Sequence, residues 1–203
     1  TGPLNQEWIN VGGGDGFVCQ VDPTDPDIVY SESQDGAIGR RNLKTGETSS
    51  IRPRASKGTR YRFNWNTPFI LSSHNPGILY SAGNFVFRSI KRGDELKVVS
   101  PEITRTGRGS ATALAESPRS PEILWVGTDD GNLWVSRDGG AAWTNVADKV
   151  GLPGPRWVAT IEPSRFADGR AYVAFDAHRS DDDEPYLCVT EDFGQTWKSI
   201  RGN

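Results

Sequence analysis

Two stretches decide how this chain is read: "SRDGGAAW" at 136–143 and "TEDFGQTW" at 190–197. Both spell Ser/Thr-x-Asp-x-Gly-x-x-Trp, a pattern termed the box. As local chemistry, the box is a tight turn between two strands. Its hydroxyl and carboxylate can accept hydrogen bonds from backbone N–H groups of the turn. Gly140 and Gly194 can supply a positive φ, while Trp143 and Trp197 open the next strand and can pack beneath it. Every feature has a structural use. Ser136, Asp138, Gly140 and Trp143, with Thr190, Asp192, Gly194 and Trp197, are therefore assigned to folding, not to catalysis.

Two altered copies lie upstream, "NLKTGETS" from Asn42 and "SIKRGDEL" from Ser89. Lys44 and Lys91 stand where Asp is expected, and Ser49 and Leu96 stand for Trp. An essential acid would not be missing from half its copies, whereas neighbouring contacts can rebuild a turn. The four copies start at Asn42, Ser89, Ser136 and Thr190, at intervals of 47, 47 and 54 residues. The extra loop "DAHRSDDDEPY" at 176–186 accounts for the longer last interval.

Between the boxes run short apolar or alternating segments such as "DIVYSES", "PFILSSHNP", "EILWVGT", "RWVATIEP" and "AYVAFDA". They are rich in Val, Ile, Phe, Tyr and Trp and are bounded by Gly, Pro, Asn or Asp, the pattern of short antiparallel strands. No 3.6-residue stripe competes with it. Four strands per period of 40–50 residues predict an all-β chain of propeller blades. The expected division is blades at 12–52, 60–100, 105–148 and 154–203, with 1–11 as the outer strand of a preceding blade. That last expectation rests on "EWINV", which matches the post-box strand "AWTNV".

Composition bounds the function. The 203 residues suffice for one domain with a core, and 23 glycines bring 35% hydrophobic residues to a normal globular share. A net charge of −3, from 23 basic and 26 acidic residues spread along the chain, gives no sign of a nucleic-acid or anionic-membrane partner. No apolar run approaches the ~20 residues that span a bilayer, so no membrane insertion is expected. Thr1 begins the sequence and no Met occurs, which suggests a segment of a longer propeller whose remaining blades would be its partners. Cys19 and Cys188 sit in strand-like runs without metal or redox spacing and are expected to be buried thiols.

The boxes resemble the Asp-box repeat of sialidases, sortilin-type receptors, xyloglucan-acting endoglucanases and a photosystem assembly factor. More closely, "VGGGDGF", "YRFNWNTP", "GTDDGNLWVSRDGGAAW" and "AYVAFDAHRSDDDEPY" resemble large bacterial sortilin-like proteins often labelled glycosyl hydrolases. The resemblance covers essentially the whole chain. It implies a β-propeller with the boxes on the periphery away from ligand, and a secreted or periplasmic setting.

Connections in a four-stranded blade alternate between two faces. Opposite the boxes lie the loops joining second and third strands and the links between blades. That face should gather Arg62, Asn64, Trp65, Arg108, Arg156, Trp157, His178 and Arg179 as candidate ligand-binding residues, beside the candidate acids Asp15, Asp129, Asp130, Asp181 and Asp182. Guanidinium forks, carboxylates and aromatic plates over a concave channel suit a ligand. Trp65 and Trp157 would stack on sugar rings, and a pair of the acids would be needed for glycosidic hydrolysis. The alternative is a non-catalytic scaffold whose arginines clamp a peptide carboxylate. Asp176, Asp181 and Asp183 could suit Ca²⁺, but EF-hand spacing is lacking, so neither a metal nor a cofactor is assigned.

Overall fold

The computed structural model describes residues 2 and 4–201; Thr1, Pro3, Gly202 and Asn203, at the margins of the first and last assigned segments, lie outside the described residues. Four antiparallel sheets follow one another along the chain, each a meander of four strands in sequence order. The first holds β1 (Cys19–Asp22), β2 (Asp25–Ser33), β3 (Ala37–Asn42) and β4 (Thr48–Ser50); the second β5 (Phe69–Leu71), β6 (Leu79–Ala82), β7 (Val86–Ser89) and β8 (Lys97–Val98). The third holds β9 (Ala111–Glu116), β10 (Leu124–Thr128), β11 (Leu133–Ser136) and β12 (Thr144–Asn145); the fourth β13 (Trp157–Pro163), β14 (Ala171–Asp176), β15 (Tyr186–Thr190) and β16 (Lys198–Ser199). This is a β-propeller segment of four blades.

The register follows the box. Its first residue ends each third strand and faces the start of the second strand's pairing: Ile28 opposite Asn42, Leu79 opposite Ser89, Leu124 opposite Ser136 and Ala171 opposite Thr190. Residues 8–11 pair with no strand among the described residues. A single 3-10 turn at Asn5–Glu7 precedes them, and Trp8 and Ile9 stay exposed. Asn10 is instead tied by its carbonyl to Arg41 Nη1 at 2.7 Å.

The core consists of three layers between successive blades, so that blades 2 and 3 are packed on both sheet faces. Tyr30, Ile38, Ile51, Phe69 and Leu79 fill the first seam; Tyr80, Val86, Ile103, Leu124 and Val126 the second; Trp125, Leu133, Val158, Val173 and Phe175 the third. The strand period of two sets this up: Leu124 and Val126 serve one seam, and Trp125 between them the other. Gly127 lets β13 approach closely, since a Cβ there would sit 2.3 Å from Val158 Cγ1.

One expectation fails here. Cys188 is buried, but Cys19 is exposed. Its neighbour Gln20 reaches blade 2, bonding Leu71 N at 3.1 Å and Phe69 O at 3.4 Å. Alternation therefore turns Cys19 to the other face of blade 1, which no blade of this chain covers.

Candidate functional site

The boxes lie at one end of the blades, and their atoms close turns. Ser136 Oγ accepts from Gly140 N at 2.8 Å and donates to Asp138 Oδ1 at 2.9 Å, which also accepts Ala142 N at 2.8 Å. Gly140 has φ 93°. Trp143 Nε1 bridges to Val99 O of blade 2 at 2.7 Å. Thr190, Asp192, Gly194 and Trp197 repeat the arrangement: Gly194 N to Thr190 Oγ1 is 2.8 Å, Thr196 N to Asp192 Oδ1 is 2.8 Å and Trp197 Nε1 to Gly194 O is 3.0 Å. These backbone and side-chain donors hold both carboxyls below the usual carboxylate range, Asp138 chiefly through Ala142 and Asp192 chiefly through Thr196.

At the opposite end the 2–3 loops and inter-blade links converge, and most of the candidate charges spend themselves on one another. Asp129 accepts Ser110 N at 2.8 Å, Ser110 Oγ at 2.9 Å and Asn64 Nδ2 at 3.1 Å. Asp130 accepts Thr106 N at 2.7 Å, Thr106 Oγ1 at 2.9 Å and Thr128 Oγ1 at 2.7 Å. These two acids fasten the 105–110 link to the β10–β11 turn. Arg62 is equally committed, with Glu102 Oε1 at 2.6 Å, Thr104 Oγ1 at 2.8 Å and Gly109 O at 3.1 Å.

Blade 4 behaves alike. Arg156 Nη2 donates to Asp182 at 2.7 Å, and the Tyr186 hydroxyl donates to the same oxygen at 2.9 Å. The Arg156 hydrogen bond holds Asp182 below the usual carboxylate range. His178 is exposed and bonds Asp176, whose carboxyl it lowers. Arg179 lies over the half-buried Trp157, 4.5 Å from the ring centroid. Asp15 and Asp181 are exposed, and their carboxylates make no hydrogen bond among the described residues. No group of three or more His, Cys, Asp or Glu among the described residues is placed to hold a metal ion.

Besides Asp15 and Asp181, two of the candidate ligand-binding residues stay open to a ligand. Trp65 is 56% exposed, and Arg108 is exposed with no side-chain partner among the described residues. Trp65 sits on a rigid turn. Thr67 Oγ1 donates to Asn64 O at 2.7 Å, and Asp35 N of blade 1 donates to Trp65 O at 3.2 Å.

Beneath that turn lies a residue the sequence reading did not single out. Glu32 is 2% exposed, its Oε1 accepts Thr67 N at 3.2 Å, and its Oε2 is buried with no partner among the described residues. Burial pushes its carboxyl up to about 7, against opposing backbone hydrogen bonds from Thr67 and Val18, and Asp35 adds to the rise. The signal was present: in a strand, Tyr30 and Glu32 share a face, so an acid in phase with a core tyrosine points inward.

A cavity of about 460 Å³ lined by Ser31, Ser33, Ala37 and Gly39 lies between the Gly-rich 12–16 stretch and the uncovered face of blade 1. Another of about 460 Å³ opens on the box side, between blades 1 and 2. Neither contains the candidate acids.

No protein-family model and no curated protein matches the chain. Solved structures do. The chain is similar to a GH74 enzyme from Niastella koreensis, with a TM-score of 0.63, 18% identity, and coverage of 94% of this chain and 30% of that one. It is similar to a GH74 xyloglucanase from Xanthomonas campestris, with a TM-score of 0.64, 22% identity, and coverage of 96% and 31%. It also matches the Dos1 propeller, with a TM-score of 0.65, 14% identity, and coverage of 94% and 50%. The chain thus spans about a third of the two glycoside hydrolases and half of the third structure. At these identities the likeness is one of fold: a β-propeller segment.

Proposed function

We propose that this chain is the ligand-binding part of a larger, extracytoplasmic β-propeller directed at carbohydrate, with Trp65 as its stacking platform. The observation that carries the reading is a large aromatic plate, 56% exposed, on a turn fixed by hydrogen bonds from blade 1. An exposed tryptophan held rigid offers apolar area at low entropic cost. The GH74 propellers of similar fold support a saccharide as the ligand. Further blades are read as packing on the uncovered face of blade 1, where Cys19 and Val21 are exposed.

The site is read as binding rather than hydrolytic. Hydrolysis needs one carboxyl to donate a proton and another to act as base or nucleophile. Asp129, Asp130 and Asp182 already accept three hydrogen bonds each.

The test is a glycan panel that includes xyloglucan oligosaccharides, followed by calorimetry with Trp65→Ala. Binding should weaken about tenfold or more with the melting temperature unchanged. Retention of no glycan, or undiminished binding by the variant, overturns the reading. Arg108 favours a second one, a peptide-binding scaffold, because its free guanidinium suits a carboxylate. In that case peptides bind, glycans do not, and Arg108→Ala abolishes the interaction.

A further inference from the structure

The turn carrying Trp65 is held from two neighbouring blades, 1 and 3, and by its own hydrogen bonds. Blade 1 grips it twice, through Glu32 Oε1 to Thr67 N at 3.2 Å and through Asp35 N to Trp65 O at 3.2 Å. Within the turn, Asn64 Oδ1 accepts Asn66 N at 3.3 Å and Asn64 O accepts Thr67 Oγ1 at 2.7 Å. From blade 3, Asp129 and Ser110 accept Asn64 Nδ2 at 3.1 and 3.3 Å. All these anchors are matched except one: Glu32 Oε2 is buried without a partner among the described residues.

The charges around Glu32 do not favour its ionised form. Asp35, on its own hairpin, opposes the ionised form, and the carboxylate of Asp129 is bound to Asn64 on the far side of the turn. The turn packed on it offers uncharged Asn64 and Thr67, and Val18, just before β1, contributes only backbone. Arg52 is engaged nearby over Phe63, 5.0 Å from the ring centroid. A buried carboxylate whose second oxygen has no partner is costly, whereas the neutral acid keeps a carbonyl oxygen for Thr67 N without a charge. In the ionised form the unpartnered Oε2 would call for water beside Thr67, and its entry would loosen the turn.

We propose that Glu32 is the positioning residue of the Trp65 platform and holds it in its binding geometry as the neutral acid. Glu32 never touches the ligand; it acts through Thr67 and Asn64. The affinity consequence rests on the carbohydrate reading above, while the structural consequence does not.

Two measurements separate them. First, 5-fluorotryptophan is incorporated, and the Trp65 ¹⁹F resonance is assigned by its loss in Trp65→Phe. In the ligand-free protein it should titrate with a midpoint near the group's value of about 7, and in Glu32→Gln it should not. Second, affinity for xyloglucan oligosaccharides should fall severalfold between pH 6 and 8.5 in the parent and stay flat in Glu32→Gln. A resonance that titrates identically in both proteins, or does not titrate in the parent, overturns the inference. If Glu32→Gln fails to fold, the parent's resonance alone decides. A titrating resonance without oligosaccharide binding at any pH keeps the positioning role and sinks the carbohydrate reading. Binding with the same pH profile in both proteins sinks the positioning role and leaves the reading intact.

Discussion

Blades 3 and 4 and blades 1 and 2 build the same turn from different atoms. In the later pair a carboxylate accepts the backbone N–H four residues on, and a tryptophan packs beneath. In blade 2, Ser89 Oγ takes Lys91 N at 2.9 Å and Gly93 N at 3.0 Å with no carboxylate involved. In blade 1, Asn42 Oδ1 takes Lys44 N at 2.9 Å and Thr45 N at 3.0 Å. The turn needs an acceptor at its first position more than it needs the acid. What the altered copies lose is the indole: Leu96 of blade 2, in place of tryptophan, packs in the seam of blades 1 and 2, and Ser49 of blade 1 lines the cavity of about 460 Å³ between the same blades. The corresponding seam of blades 2 and 3 contains Trp143, bonded across it to Val99 O.

The most direct way to break this contrast is Trp143→Leu, which makes blade 3 resemble blade 2. Loss of buried aromatic area and of the cross-seam hydrogen bond should cost about 2–3 kcal/mol in denaturant unfolding. A cost below about 0.5 kcal/mol would show that the indole is dispensable.

A smaller effect comes from pH, with opposite signs in the two regions. Asp138 and Asp192 have lowered folded values, so their contribution is present at neutral pH and lost as pH falls through those values. Glu32 has a raised one, so its contribution is complete below the unfolded value and lost as pH rises from there through about 7. Glu32→Gln should therefore be more stable than the parent by about 1–2 kcal/mol at pH 8, with the difference shrinking towards pH 5. Thermal melts across that range decide it, and parallel curves would refute the assignment.

Asp138→Ala should lower the melting temperature by about 2–4 °C, whereas Lys91→Ala, at the matching position of blade 2, should leave it unchanged. Oligosaccharide binding should survive both. Selective loss of binding in a folded Asp138→Ala protein would return the box to the functional site. The smallest expected change is a gain: Ser49→Trp should fill part of the blade 1–2 cavity and add about 0.5–1 kcal/mol. A loss would mean that the ring cannot enter it.

Most of the fold was legible because a repeat of about 47 residues and a strand period of two are local, one-dimensional signals. The face carrying Arg62, Asn64, Asp129, Asp130 and Arg156 was legible for the same reason, since connections alternate between the two ends of a blade. Residues 7–11 match a strand in pattern, yet they pair with no strand among the described residues. Cys19 looked like a core thiol because its strand is apolar, while its exposure depends on a neighbour blade that this chain does not supply.

The sequence by itself determined the strands, their order, the turn chemistry of the boxes and which loops share the opposite end of the blades. Tertiary structure decided which candidates remain free to bind one. Arg62 is taken up by groups 40–47 residues away and Asn64 by Asp129, 65 residues away, while Trp65 between them stays open. Hydrogen-bond partners of polar groups are set by proximity in space, and residue type and spacing do not encode that proximity across blades.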